Sequence, residues 1–185
     1  MTYSIRRLGS LGLLVALASC NNSPSTPSTT TTTTPPPVTT VIYQNGGPVP
    51  AQSVGYIDFS IPSAGTVNAT VDWTFATSQV GIALTTQACS DAQAAFLASC
   101  SQIGTPQFDN RKPKTVNGSA QGGGGRLWIA NLATVDESMS AIVTLTRAAA
   151  TSGPSSLSLG SAGTASGGTV WMPLSADLAA RLRGR

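Results

Sequence analysis

Tyr56-Ile57-Asp58-Phe59-Ser60-Ile61-Pro62-Ser63-Ala64-Gly65-Thr66-Val67-Asn68-Ala69-Thr70-Val71-Asp72-Trp73 decides how this chain folds. Its apolar side chains recur at every second position: Ile57, Phe59 and Ile61 before Pro62, then Val67, Ala69, Val71 and Trp73 after Gly65. Successive side chains of a strand point to opposite faces. Each run therefore turns one apolar face to a core and leaves Asp58, Ser60, Asn68, Thr70 and Asp72 on the other. Ser63-Ala64-Gly65 between the runs reads as a turn, so the stretch predicts two adjacent strands.

The same period continues outward. Val80, Ile82 and Leu84 alternate with Gly81 and Ala83, and Leu127 and Ile129, with Leu132 beyond, share another strand. Ala141, Val143 and Leu145 alternate with Ile142, Thr144 and Thr146, while Val41 to Tyr43 adds a first edge strand. Ala76-Thr77-Ser78 reads as a link between strands. Gly122 to Gly125 reads as a flexible tip, because no Lys-Ser/Thr pair or helix follows to make a phosphate cradle. Short strands with no helix between most of them predict an all-β fold, an antiparallel β-sandwich over residues 41–147.

Cys89 and Cys100 enclose a segment that Ser90 or Asp91 can cap as a short helix through Ala98, with Phe96 and Leu97 packing inward. Their spacing is not C-x-x-C, and the sequence holds no histidine, so a redox or metal pair is the weaker reading beside a disulfide. The third cysteine, Cys20, closes Leu17-Ala18-Ser19-Cys20. Arg6 and Arg7 precede an apolar run from Leu8 to Ala18, well short of the roughly 20 residues that span a bilayer. Residues 1–19 therefore read as a signal peptide. An aliphatic residue, two small residues and cysteine resemble the lipobox of bacterial lipoproteins, which implies lipidation at Cys20 and a membrane anchor. The competing site, Ala16-Leu17-Ala18, would release a soluble product. Acylation of Cys20 leaves Cys89 and Cys100 to pair with none over, in the oxidising compartment that export implies. Asn21 does not match the Asp that commonly retains lipoproteins at an inner membrane, so the expected address is the bacterial cell envelope, at the outer membrane where the host has one.

Residues 20–40 follow as a Thr/Pro-rich tether with almost nothing to bury, expected to be disordered and able to reach up to about 60 Å. A glycosylated stalk is the alternative reading of the same composition. Residues 148–185 form a low-complexity tail, expected to be disordered, in which Ser175 can cap a short terminal helix that puts Leu174, Leu178 and Leu182 on one face; a frayed end of marginal helicity is the plainer reading.

The opening stretch, together with Gly125-Arg126-Leu127-Trp128-Ile129-Ala130-Asn131 and the strand closing at Arg147, resembles the bacterial pre-peptidase C-terminal domain over roughly residues 50–147. The resemblance implies a small, jelly-roll-like, non-catalytic sandwich of secreted and surface proteins, some of which bind polymers or calcium. In this sequence no peptidase precedes the domain, and Asp58, Asp72, Asp109, Asp136 and Glu137 are scattered rather than clustered for calcium.

Composition narrows the chemistry. The formal charge of +3 comes from the two ends of the sequence; the body is close to neutral, and Arg111, Lys112 and Lys114 make only a local cluster. No basic stripe suits a nucleic-acid partner. Without histidine, Ser-His-Asp and Cys-His catalysis are excluded, and neither Lys112 nor Lys114 lies in an S-x-x-K. Asp136 and Glu137 are neighbours and would face opposite ways on a strand, unlike the converging carboxylates of glycoside hydrolysis. The chain therefore reads as a non-enzyme needing no cofactor. Tyr43, Tyr56, Trp73, Phe75 and Trp128 are the candidate stacking residues for a sugar or peptide. Trp73 follows the inward register, whereas Trp128 points opposite to Leu127 and Ile129 and is the best candidate for ligand binding. The competing class is a structural or accessory envelope lipoprotein with a protein partner and no small ligand.

Overall fold

A computed structural model describes residues 35–149 and 169–184. The signal segment, Cys20 and most of the tether lie outside the described residues, as does most of the Ser/Gly/Ala-rich tract of the tail. The described part folds as two antiparallel sheets facing each other. Eight strands follow in order: β1 (Val38–Val49), β2 (Ser53–Ile61), β3 (Gly65–Trp73), β4 (Val80–Thr86), β5 (Gln102–Gln107), β6 (Lys114–Ala120), β7 (Gly123–Asn131) and β8 (Glu137–Arg147). A short helix, α1 (Ala92–Phe96), interrupts them between β4 and β5, and the chain ends in β9 (Val170–Pro173) and α2 (Ala176–Arg183). One sheet has the order β1-β8-β3-β6 and the other β5-β4-β7-β2-β9. Without β9 this is the eight-strand jelly roll, in which consecutive strands alternate between sheets except for β4 and β5, which are neighbours in one sheet.

Period two is the cause of the core. Ile57, Phe59 and Ile61 of β2, Val67, Ala69, Val71 and Trp73 of β3, and Ala141, Val143 and Leu145 of β8 all turn inward and are buried in one cluster with Ile82, Leu84, Leu127 and Ile129. The opening stretch is thus one strand of each sheet, joined by the Ser63–Ala64 turn, rather than a pair within one sheet.

Three expectations change. The glycine tract is not a free tip: Gly123, Gly124 and Gly125 pair with Ile61, Ser60 and Phe59 as the start of β7. Glycine is needed there because a Cβ on Gly125 would lie 2.4 Å from the Phe59 ring. The tail is ordered at its end, where a frayed segment is the plainer expectation. β9 extends the second sheet by pairing with β2, from Tyr56↔Val170 to Ser53↔Pro173. Ser175 then caps α2 by accepting from the Leu178 N–H at 3.2 Å. Helix α1 starts at its Asp91 cap, as the sequence suggests, but stops short of Ala98, whose φ of 57° breaks the helical run.

Where β9 meets β2, the Trp171 indole lies over Gly55, with no room for a side chain: a Cβ there would fall 2.4 Å from the ring and 2.6 Å from the Val170 carbonyl oxygen. Gly55→Val is expected to unpair β9 and to cost about 1–3 kcal/mol. Gly47→Ala, at a strand position where a Cβ meets nothing within 4 Å, is the control. Hydrogen exchange should then speed up at residues 170–183 alone, and unchanged protection there would refute the expectation.

Candidate functional site

Trp128 faces away from the inter-sheet core, as its register requires, but that side is covered and the residue is 0% exposed. It belongs to a second apolar cluster on the outer face of the five-stranded sheet, with Val54, Ala83, Ala130 and Leu132, roofed by Phe96 of α1, by Phe108 and by Leu178, Ala179 and Leu182 of α2. Its role is packing, which corrects its assignment as a contact residue. Tyr43 and Trp73 are buried and Tyr56 is half-buried, so of the five candidate aromatic residues only Phe75 is well exposed, at 49%. No aromatic platform is assembled from them.

The structure gathers other groups beside Trp128. Arg126, opposite Asp58 in the β2–β7 register, donates Nε to Oδ1 at 2.6 Å and Nη2 to Oδ2 at 2.8 Å. Its Nη1 donates to the Cys89 carbonyl at 3.0 Å, and its guanidinium lies 3.9 Å from the Tyr56 ring centre. Cys89 is bonded to Cys100, so the arginine ties the disulfide loop to the sheet. Burial pushes the Asp58 carboxyl up, but hydrogen bonds from Arg126 and Gln87 and the Arg126 charge outweigh it and hold the group below the usual carboxylate range. The Asp58 hydrogen bond in turn raises Arg126 further. Beside this pair, Asp58, Ser60, Gln87 and Gly124 line an open cleft of about 540 Å³.

The remaining ionic groups serve the fold. Lys114 is 2% exposed; its Nζ donates to the carbonyls of Val80, at 2.6 Å, and of Asp109. Burial lowers its pKa, partly offset by the Asp109 carboxylate. Lys112 pairs with Asp72 at 3.3 Å and Arg111 with Asp109 at 3.6 Å, so the three cations of the cluster are each matched to a carboxylate. Asp136 accepts from the Ala51 N–H and buried Glu137 from the Phe75 N–H, on opposite sides of the chain. Among the described residues, no three His, Cys, Asp or Glu side chains converge to hold a metal ion, and no helix is long and apolar enough to cross a membrane.

An ordered polar surface lies on the outer face of the four-stranded sheet. Register aligns its outward residues into rows across all four strands: Thr39, Thr146, Thr66 and Ser119; then Val41, Thr144, Asn68 and Asn117; then Gln44, Ile142, Thr70 and Thr115. All twelve are exposed or half-exposed, and none is charged. Strands lie about 4.8 Å apart and rows about 6.7 Å apart, giving a grid roughly 14 Å on each side. Neighbours steady one another: the Thr39 and Thr146 hydroxyls are 2.8 Å apart, those of Thr70 and Thr115 3.0 Å, and Thr70 donates to Asn68 at 3.3 Å. Alternation along β3 and β8 directs their members outward, but the rows depend on the order of the four strands.

No family model matches the chain, and no curated protein sequence matches it. Among solved structures, the crystal structure of Yersinia pseudotuberculosis-derived mitogen is similar over 58% of this chain and 87% of that one, with 12% identity and a TM-score of 0.41.

The Asp58–Arg126 pair gives a pH dependence. A carboxyl whose folded-state pKa lies below its unfolded one stabilises the fold above the unfolded value, near pH 4, and that contribution is lost as pH falls through the folded one. Asp58→Asn is expected to cost about 1–3 kcal/mol at neutral pH, by leaving Arg126 under-paired, and to flatten the fall in stability on acidification. Urea unfolding across acid pH checks this; parallel profiles for the two proteins would count against the pair.

Proposed function

We propose that this chain is a non-catalytic, lipid-anchored protein of the bacterial envelope whose sandwich is a binding module for a neutral, hydroxyl-rich polymer, a glycan. The observation that carries the reading is the uncharged, hydroxyl-rich grid of twelve side chains on the outer face of the four-stranded sheet, bounded by the Asp72–Lys112 pair and left open among the described residues, while the outer face of the other sheet is largely covered. Each hydroxyl both donates and accepts, and the amides of Asn68, Asn117 and Gln44 add fixed donors and acceptors. Threonine methyls, with Val41 and Ile142, supply apolar contact between them. A neutral polymer laid on such a face meets matching polar groups without stripping water from an ion.

The anchor rests on the lipobox-like Leu17-Ala18-Ser19-Cys20 and the Thr/Pro tract after it, and the Cys89–Cys100 disulfide suits an exported protein. Asn21 favours the outer membrane in a host that has one. The resemblance to pre-peptidase C-terminal domains points to the same class of surface module. The absence of histidine from the sequence and the structural commitments of Asp58, Asp109, Asp136 and Glu137 support a binding rather than a catalytic role.

Two measurements test the reading. The mature chain should co-sediment with insoluble neutral polysaccharide in a manner little affected by salt, and retention should fall about ten-fold or more in Asn68→Lys or Thr70→Lys, a loss of at least about 1.4 kcal/mol. Retention indifferent to both substitutions, or crosslinking of envelope proteins without any polysaccharide retention, would replace the glycan by a protein partner. Separately, the intact mass of the protein from its native membrane should show loss of residues 1–19 and acyl groups on Cys20. An unmodified product beginning at Ser19 would remove the anchor.

A further inference from the structure

The segment carrying β9 and α2 is seated on the sandwich by non-covalent contacts alone, since the disulfide joins Cys89 to Cys100 elsewhere. We propose that the seat also accepts this segment from a second copy of the chain, so that crowded copies exchange residues 170–183 and dimerise. Exchange of this kind requires neither the anchor nor the glycan.

The seat has three parts that together specify its occupant. The outer edge of β2 offers four register partners, Ser53 to Tyr56, to an antiparallel strand. Gly55 leaves a notch that the Trp171 indole fills. Beyond it, the apolar outer face takes Leu178, Ala179 and Leu182 of α2, while the Leu174 N–H donates to the Gln52 carbonyl and Arg183 to that of Leu132. Strand edge, aromatic notch and apolar groove in that order fit a strand–helix peptide of this chemistry, and this chain carries one.

A chain that supplies its own segment and one that receives a neighbour's make identical contacts. Their free energies cancel, and the balance rests on concentration: that of neighbouring copies against the effective concentration of the chain's own segment. The joining residues, 148 to 169, are rich in Gly, Ser and Ala. A connection of about 22 residues spans at most about 75 Å. Arg147, where β8 ends, donates to Ser63 beside the end of β2, and β9 begins opposite Tyr56. From Ile61 to Tyr56 is only about 17 Å along the strand, with the width of the sandwich to cross besides. The connection is therefore far longer than the seat requires, which dilutes the chain's own segment to millimolar effective concentration or below. Crowded copies can match that.

Shortening the connection separates the two arrangements. Deleting residues 149–167 leaves three joining residues, which reach about 14 Å and cannot return the segment to its own seat. Light scattering on dilute protein should show a monomer for the full mature chain, tending to dimer as concentration rises. The deletion variant should have twice its monomer mass at every concentration, with protected amides at residues 170–183. Adding Gly55→Val to the deletion variant blocks the notch and should return it to monomer. A monomeric deletion variant, or a dimer that survives Gly55→Val, would overturn the proposal.

Discussion

The five-stranded sheet is apolar on both faces, and a two-layer sandwich covers only one of them. Ile57, Phe59, Ile82, Leu84, Leu127 and Ile129 face the other sheet; Val54, Ala83, Trp128 and Ala130 face away from it. Burying a large apolar side chain contributes about 1.5–3 kcal/mol, so an uncovered second face would forfeit much of the stability of a domain this size. A third, partial layer supplies the cover, from α1 with its disulfide loop on one part and from α2, led in by β9 at the sheet edge, on another. The order at the end of the tail and the burial of Trp128 both follow from that requirement.

An ion in such a layer needs a counter-charge and hydrogen-bond partners, because a buried charge without them costs several kcal/mol. Arg126 has both: two bonds to Asp58, one to the Cys89 carbonyl and the Tyr56 ring against its plane. Its bonds are directional where apolar packing is not. The guanidinium therefore sets where the disulfide loop sits on the sheet, and the cystine keeps α1 over Trp128. Removing either end of this chain of contacts loosens the roof rather than the sandwich beneath it.

Local pattern carried the inner core, and it failed wherever the deciding fact was distant. The inward residues of β2, β3, β4 and β8, the cysteine pair and the caps at Asp91 and Ser175 were all legible from spacing. β5 was not, because Ile103 is its only large apolar residue and Pro106 reads as a breaker; the proline is tolerated because β5 is an edge strand. β6 was hidden by Lys114, whose buried ammonium is satisfied by carbonyls of other segments and lies 5.8 Å from the centre of the Trp73 ring. For Trp128 the register was right and the inference of exposure was not, because α2, which helps to cover it, follows a low-complexity tract. The hydroxyl face was visible strand by strand as ordinary polar alternation. Its rows exist only once β1, β8, β3 and β6 lie side by side, an order that consecutive sequence does not contain.

The division of labour between the sheets links the two proposals. The exchangeable segment sits on the five-stranded sheet, and the grid lies on the four-stranded one, so exchange would leave the grid unobstructed. A flat face of hydroxyls and amides offers hydrogen bonds that replace those made with water, each worth only about 0.5–1.5 kcal/mol net, so contact by one face alone is weak. Two faces joined through exchanged segments would engage one polymer with the second contact made intramolecular, and linkage of that kind can raise avidity by about 10²–10⁴ without any new contact. If both proposals hold, the long connection ahead of β9 would do more than span a gap: the density of the protein at a surface would set how firmly a polymer is held there.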